Sequence, residues 1–186
     1  MIHLAVAQVV AELNAYFNLR SPGLAQERVV SGALYELNGT PNAKVRDRLV
    51  VSLANIEENR VYHSLETYQA RADGMNERIR PKVRVNVYVM CVGNFDKYDE
   101  ALKAISNAIS FFQNRNVFIV SGNGAGDASR VVFELYSLTF EQQNHLWASL
   151  GAKYMPSVVY KAGIVDVRDT QVEAEVPPVE EINTVV

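Results

Sequence analysis

The chain has 186 residues, 48% of them hydrophobic and 21% charged, proportions of an ordinary globular domain that exclude wholesale disorder, a collagen-like repeat and a coiled coil. That length accommodates one domain with an appendage and leaves no room for two catalytic domains. With a formal net charge of −3 and a pI near 5.7, the whole molecule offers no generic attraction to nucleic acid or anionic lipid.

A single cysteine, Cys91, cannot close an intramolecular disulfide and favours folding in a reducing compartment. The opening MIHLAVAQVVAELNAYF has no basic leader and is interrupted by Gln8, Glu12 and Asn14, so it does not read as a secretory signal. No apolar run reaches the roughly eighteen residues of a spanning helix. The expectation is a soluble, cytoplasmic protein.

In chain order, Leu4, Val6, Val9, Val10, Leu13, Tyr16 and Phe17 recur at helical spacing and predict an amphipathic helix ending near Arg20, stopped by Ser21, Pro22 and Gly23. Two β-type runs follow, Glu27 to Leu37 and Val45 to Ile56. The turn-forming group Asn38–Asn42 between them predicts a hairpin. From Glu57 to Arg80 the sequence is polar and aperiodic, reading as a surface excursion. Next, Val83, Val85, Val87, Val89 and Cys91 alternate with Arg84, Asn86, Tyr88 and Met90, the pattern of a strand. Asp96 to Arg115 predicts the strongest helix, with Tyr98, Ala101, Leu102, Ile105, Ala108, Ile109 and Phe112 as its buried stripe and Asp96 as its cap. Strands are expected at Val117–Ser121 and Arg130–Leu138, joined by a glycine-rich loop. Thr139 and Gln142 form a capping-box pattern that opens a short helix ended by Gly151, and Ser157–Arg168 is the last strand.

Strands cluster between helices without strict βαβ alternation. The fold class is therefore α+β, a mixed and largely antiparallel sheet packed by helices. Residues 1–168 form the expected domain, and residues 169–186, with two prolines, five acids and no aromatic residue, an extended C-terminal arm.

Tests for chemistry return no catalytic constellation. The loop SGNGAG at Ser121–Gly126 leads into a strand rather than a helix and lacks a Gly-Lys-Ser/Thr ending, which favours a hairpin connection over a nucleotide site. His3, His63 and His145 are dispersed, so no metal or cofactor is expected; His145 is read as helping a helix pack beside Trp147. Cys91 falls on the valine face as a small buried residue. Asp96, Asp99 and Glu100 suit a helix start, and Glu57 with Glu58 the beginning of the excursion.

Two charge features remain. Arg78, Arg80, Lys82 and Arg84 surround Pro81 and form either a solvated strand entrance or a docking point for an acidic partner, such as a neighbouring subunit's arm. The arm alternates Val172, Ala174 and Val176 with acids and carries Val179, Ile182 and Val185 beyond them. Such a segment either stays an unbound, solubilising tail or adds as a strand to an exposed sheet edge. The charge divides accordingly: residues 1–168 hold all 18 Lys and Arg against sixteen acids, a formal +2, while the arm's five acids stand alone at −5.

Three blocks, VVSLANIEENR at Val50–Arg60, VNVYVMCVGNFDKYDEALKAISNAISFFQ at Val85–Gln113 and ELYSLTFEQQNHLWASLGAKYMPSVVYKAGIV at Glu134–Val165, resemble the tail-terminator or cap family of extracellular contractile injection systems, phage-tail-like particles of the antifeeding-prophage type. The resemblance runs from the first helix to about Arg168. It implies a non-enzymatic subunit that assembles as a homohexameric ring on the tube and sheath, at the end distal to the baseplate. It also implies contact with sheath and inner-tube proteins through extended terminal segments, with assembly in the cytoplasm as part of a released particle. Some members carry a further domain after this core, which leaves open an adaptor role beneath another cap protein. Neither nucleic acid nor membrane is an expected partner.

Overall fold

The computed structural model describes residues 2–20, 27–59, 68–70, 76–79, 83–121, 128–167 and 172–176. Its elements are α1 (Ile2–Arg20), β1 (Val29–Ser31), β2 (Arg48–Glu58), β3 (Tyr68–Ala70), β4 (Asn76–Ile79), β5 (Val83–Asn94), α2 (Tyr98–Asn114), β6 (Val117–Ser121), β7 (Ala128–Tyr136), α3 (Phe140–Ser149), β8 (Ser157–Val167) and β9 (Val172–Val176). Six strands form one sheet in the order β1-β2-β5-β8-β7-β6, and β3-β4-β9 form a smaller one. Every pairing is antiparallel except β1 with β2. This is the expected α+β class with a mixed, largely antiparallel sheet.

The concave face of the large sheet holds the main core. In α1 the residues Val9, Leu13 and Phe17 repeat every fourth position and bury with Ala5 and Val10. Helix α1 touches both edge strands, β1 and β6, so the sheet curls around its helices. Phe111 and Phe112 of α2 meet Phe118, Phe133 and Tyr160 in a ring cluster, with Phe112 and Tyr160 centroids 4.1 Å apart. At Gly93 an added Cβ would stand 2.9 Å from the Ala101 carbonyl oxygen, so α2 rests directly on the backbone of β5.

The convex face carries a second cluster, with Leu34, Val45, Val50, Met90, Val92, Trp147 and Val159 buried beneath α3 and the loop after β1. Strand β5 is thus covered on both sides: Val87, Val89 and Cys91 face one cluster, and Met90 and Val92 the other. Central position explains this, since alternation marks a half-buried strand only where one face stays wet.

Four expectations are corrected. The runs around β1 and β2 are not a hairpin; they pair in parallel, Val29 opposite Leu49. The Asn38–Gly39 turn exists, but it closes a local bridge between Tyr35 and Pro41, after which a 3-10 turn at Ala43–Val45 turns the chain again. The region Glu57–Arg80 is not wholly irregular, because β2 runs to Glu58 and β3 and β4 pair antiparallel. Asp96 does not cap α2: the cap position is Lys97, without a side-chain hydrogen bond, and Asp96 instead accepts from Arg46 Nη2 at 2.6 Å. The buried stripe of α2 is Ala101, Ala104, Ala108, Phe111 and Phe112, rotated from the predicted one, which leaves Tyr98, Leu102 and Ile109 exposed.

Candidate interaction surfaces

Strand β4 leads into β5 through residues 80–82, and β8 leads into β9 through residues 168–171. The β5–β8 ladder closes at Val83 opposite Val167, and the β4–β9 ladder opens at Ile79 opposite Val172. In the small sheet, β4 and β9 are thus the chain neighbours of β5 and β8, the two central strands of the large one.

Of the two charge features recognised separately in the sequence, Arg78 and the strand of the arm lie in the small sheet. Arg78 of β4 pairs with Ala174 of β9, and Asn76 with Val176. Arg84 lies in β5 opposite Asp166. Arg80, Lys82, Val179, Ile182 and Val185 lie outside the described residues. Because β9 is the outer strand of its sheet, one of its backbone edges has no strand partner among the described residues. Unpaired strand edges of this kind recruit further strands.

A second surface lies on the convex face and was not expected from the sequence. Asn55, Tyr88, Lys161 and Glu134 form one cross-strand row over β2, β5, β8 and β7. The Tyr88 hydroxyl donates to Glu57 Oε2 at 2.7 Å, which pushes the phenol up to about 12, helped by burial. Tyr88 meets Tyr136 edge to face at 5.0 Å between centroids, and Lys161 Nζ stands 5.9 Å over the Tyr88 ring. A cavity of about 310 Å³ opens here, lined by Ala54, Asn55, Glu57, Tyr88, Tyr136, Leu138, Leu146 and Val159. Only pairing partners, unknown before the register is seen, could have joined these residues.

Groups tested for chemistry behave structurally. Cys91 is wholly buried, and burial pushes its thiol up to about 12, removing the thiolate that a nucleophile needs. Asp99 and Glu100 lie in the first turn of α2, with Lys103 Nζ 3.4 and 2.9 Å away. Thr139 and Gln142 make both bonds of a capping box. His145 is exposed, so the packing role expected of it belongs to Trp147, which is buried and meets Tyr154 edge to face. Residues 122–127 of the glycine-rich loop lie outside the described residues, but the strands on either side pair antiparallel, Ser121 opposite Ala128. The loop therefore joins a hairpin and opens into no helix. Among the described residues no group of three His, Cys, Asp or Glu is placed to hold a metal ion, and no helix is long and apolar enough to cross a membrane.

A family model for the Pvc16 N-terminal domain matches residues 6–181. The chain belongs to the Pvc16 N-terminal domain family. Two solved structures share the fold of this Pvc16 N-terminal domain. One is the PVC sheath/tube terminator of an extracellular contractile injection system in the extended state, with a TM-score of 0.57, 14% identity and 95% of this chain covered. The other is the tube-terminating cap of the anti-feeding prophage, with a TM-score of 0.53, 16% identity and the same 95% covered. This chain spans 62% and 61% of those two proteins. No curated protein sequence matches it.

Proposed function

We propose that this chain is a non-catalytic, ring-forming subunit that caps or terminates the tube and sheath of a contractile injection system at the end distal to the baseplate. The observation that carries the reading is membership of the Pvc16 N-terminal domain family over residues 6–181, joined to a fold shared with a sheath/tube terminator and a tube-terminating cap along 95% of the chain. The six-stranded sheet and its helices supply the body of the ring, which closes as a hexamer through heterologous contacts. In the small sheet β3-β4-β9, the open edge of β9 takes a strand from a sheath subunit or a neighbouring ring subunit. Assembly takes place in the cytoplasm before the particle is released.

Electron microscopy of particles made without the gene tests this. Tubes of uncontrolled length or particles lacking sheaths are expected, and particles of normal length with intact sheaths would refute the role. A second reading is an adaptor between the tube end and a further cap protein. Under that reading the wild-type particle shows another protein seated beyond this ring. A nucleotide-binding role for the loop after Ser121 is opposed by the β6–β7 hairpin, and calorimetric titration with ATP should give no saturable heat.

A further inference from the structure

We infer that the cavity on the convex face is a socket for one cationic side chain, arginine or lysine, presented by a protein partner. Its walls divide by chemistry. Ala54, Leu138, Leu146 and Val159 supply an apolar floor, while Tyr88, Tyr136, Asn55 and Glu57 supply rings and oxygens. An arginine or lysine side chain asks for that combination, since its methylene stem prefers apolar contact and its charged head an aromatic face and a carboxylate.

Three observations favour a cation over a neutral or acidic guest. Glu57 is fixed at the rim by the Tyr88 hydroxyl at 2.7 Å, and one hydrogen bond leaves a carboxylate most of its accepting capacity. The Tyr88 ring already attracts a cation from outside the cavity, with Lys161 Nζ at 5.9 Å, and Lys161 does not line the cavity. That lysine does not saturate the negative charge: Glu134 is its direct cross-strand partner, so Glu57, Glu134 and Lys161 together leave a net −1 around the tyrosine pair. The volume of about 310 Å³ lies at the low end of the range for ligand pockets and leaves room for one long side chain. The socket lies on the large sheet, whereas the open edge of β9 belongs to the small one, so the inference stands apart from the strand-addition reading.

The test uses the full chain, labelled with nitrogen-15, and Nα-acetyl-arginine N-methylamide as the probe. Amide signals of Asn55, Glu57, Tyr88 and Tyr136 should shift saturably, with a dissociation constant in the millimolar range. The citrulline analogue, neutral and nearly the same shape, should bind at least tenfold more weakly. Glu57→Gln, an exposed substitution that should not disturb folding, should weaken the arginine probe about tenfold, while Glu141→Gln on exposed α3 should not. Equal shifts from the arginine and citrulline probes, an equal response to Nα-acetyl-proline N-methylamide, or no shift at these four residues would overturn the proposal.

Discussion

At the scale of single residues, Asn14 shows how a polar side chain inside an apolar helix can be structural. Its Oδ1 accepts the amides of Arg28 and Val29 at 3.0 and 2.9 Å, and its Nδ2 donates to the Val29 carbonyl at 2.7 Å. Strand β1 is the edge of the sheet, and on its free side Asn14 takes the place a neighbouring strand would fill. Asn14→Ala leaves those backbone groups without a partner in a half-buried site, which should cost about 1–3 kcal/mol in urea unfolding. Asn14→Asp, which keeps the acceptor and loses the donor, should cost less. In the sequence Asn14 is visible only as an interruption of the first helix, because its partners lie fourteen and fifteen residues away.

Cys91 and Tyr160 make the residue-scale case for pH. Burial pushes both up to about 12, Tyr160 with a further contribution from Cys91. A thiol in the unfolded chain ionises near pH 8.5. Between there and about 12 unfolding therefore releases a proton that the folded state holds, and stability is complete below that window and falls as pH rises through it. Urea unfolding from pH 8 to 11 should show this decline, and Cys91→Ala should make it shallower by up to about 1.4 kcal/mol per pH unit. At pH 8 a thiol reagent should react with Cys91 only as the protein unfolds.

At the scale of elements, legibility followed how local the determinant is. The α3 capping box could be read because Thr139 and Gln142 satisfy each other within one turn, and Thr139→Ala should lower stability by about 1 kcal/mol in the same unfolding experiment. Strand β6 was bounded correctly because Val117–Ser121 is set off by polar neighbours and a glycine loop. The buried face of α2 is not legible in the sequence because two apolar flanks compete. Tyr98, Leu102 and Ile109 make as good a stripe as Ala101, Ala104 and Ala108, and only small residues can lie against β5 at Gly93. Gly93→Ala should therefore destabilise by about 1–3 kcal/mol, as overpacking against backbone does. The parallel pairing of β1 with β2 was hidden for a different reason. The turn-forming residues between them were recognised, but the second reversal at Ala43–Val45 cancels the first, and no local signal counts reversals.

For the whole molecule, formal charge divides unevenly along the chain. Residues 1–168 carry a formal +2 and residues 169–186 carry −5. Strand β9 pairs with β4 alone and contributes no strand to the six-stranded sheet. If the large sheet folds on its own core, removing residues 169–186 deletes one outer strand and none of the described buried side chains of either hydrophobic cluster. The truncated chain should then melt within about 2 °C of the full chain, since a change of 1 kcal/mol in a domain of this size shifts Tm by roughly 2–4 °C. Under the proposed strand-addition role, the same truncation should strip sheaths from assembled particles, because the open edge of β9 is gone. A fall in Tm of more than about 5 °C would instead make the small sheet part of the folding unit, and the loss of sheath would then follow from an unstable ring rather than from a missing contact. Measuring melting and sheath retention on one variant separates an arm that binds from an arm that holds the domain together.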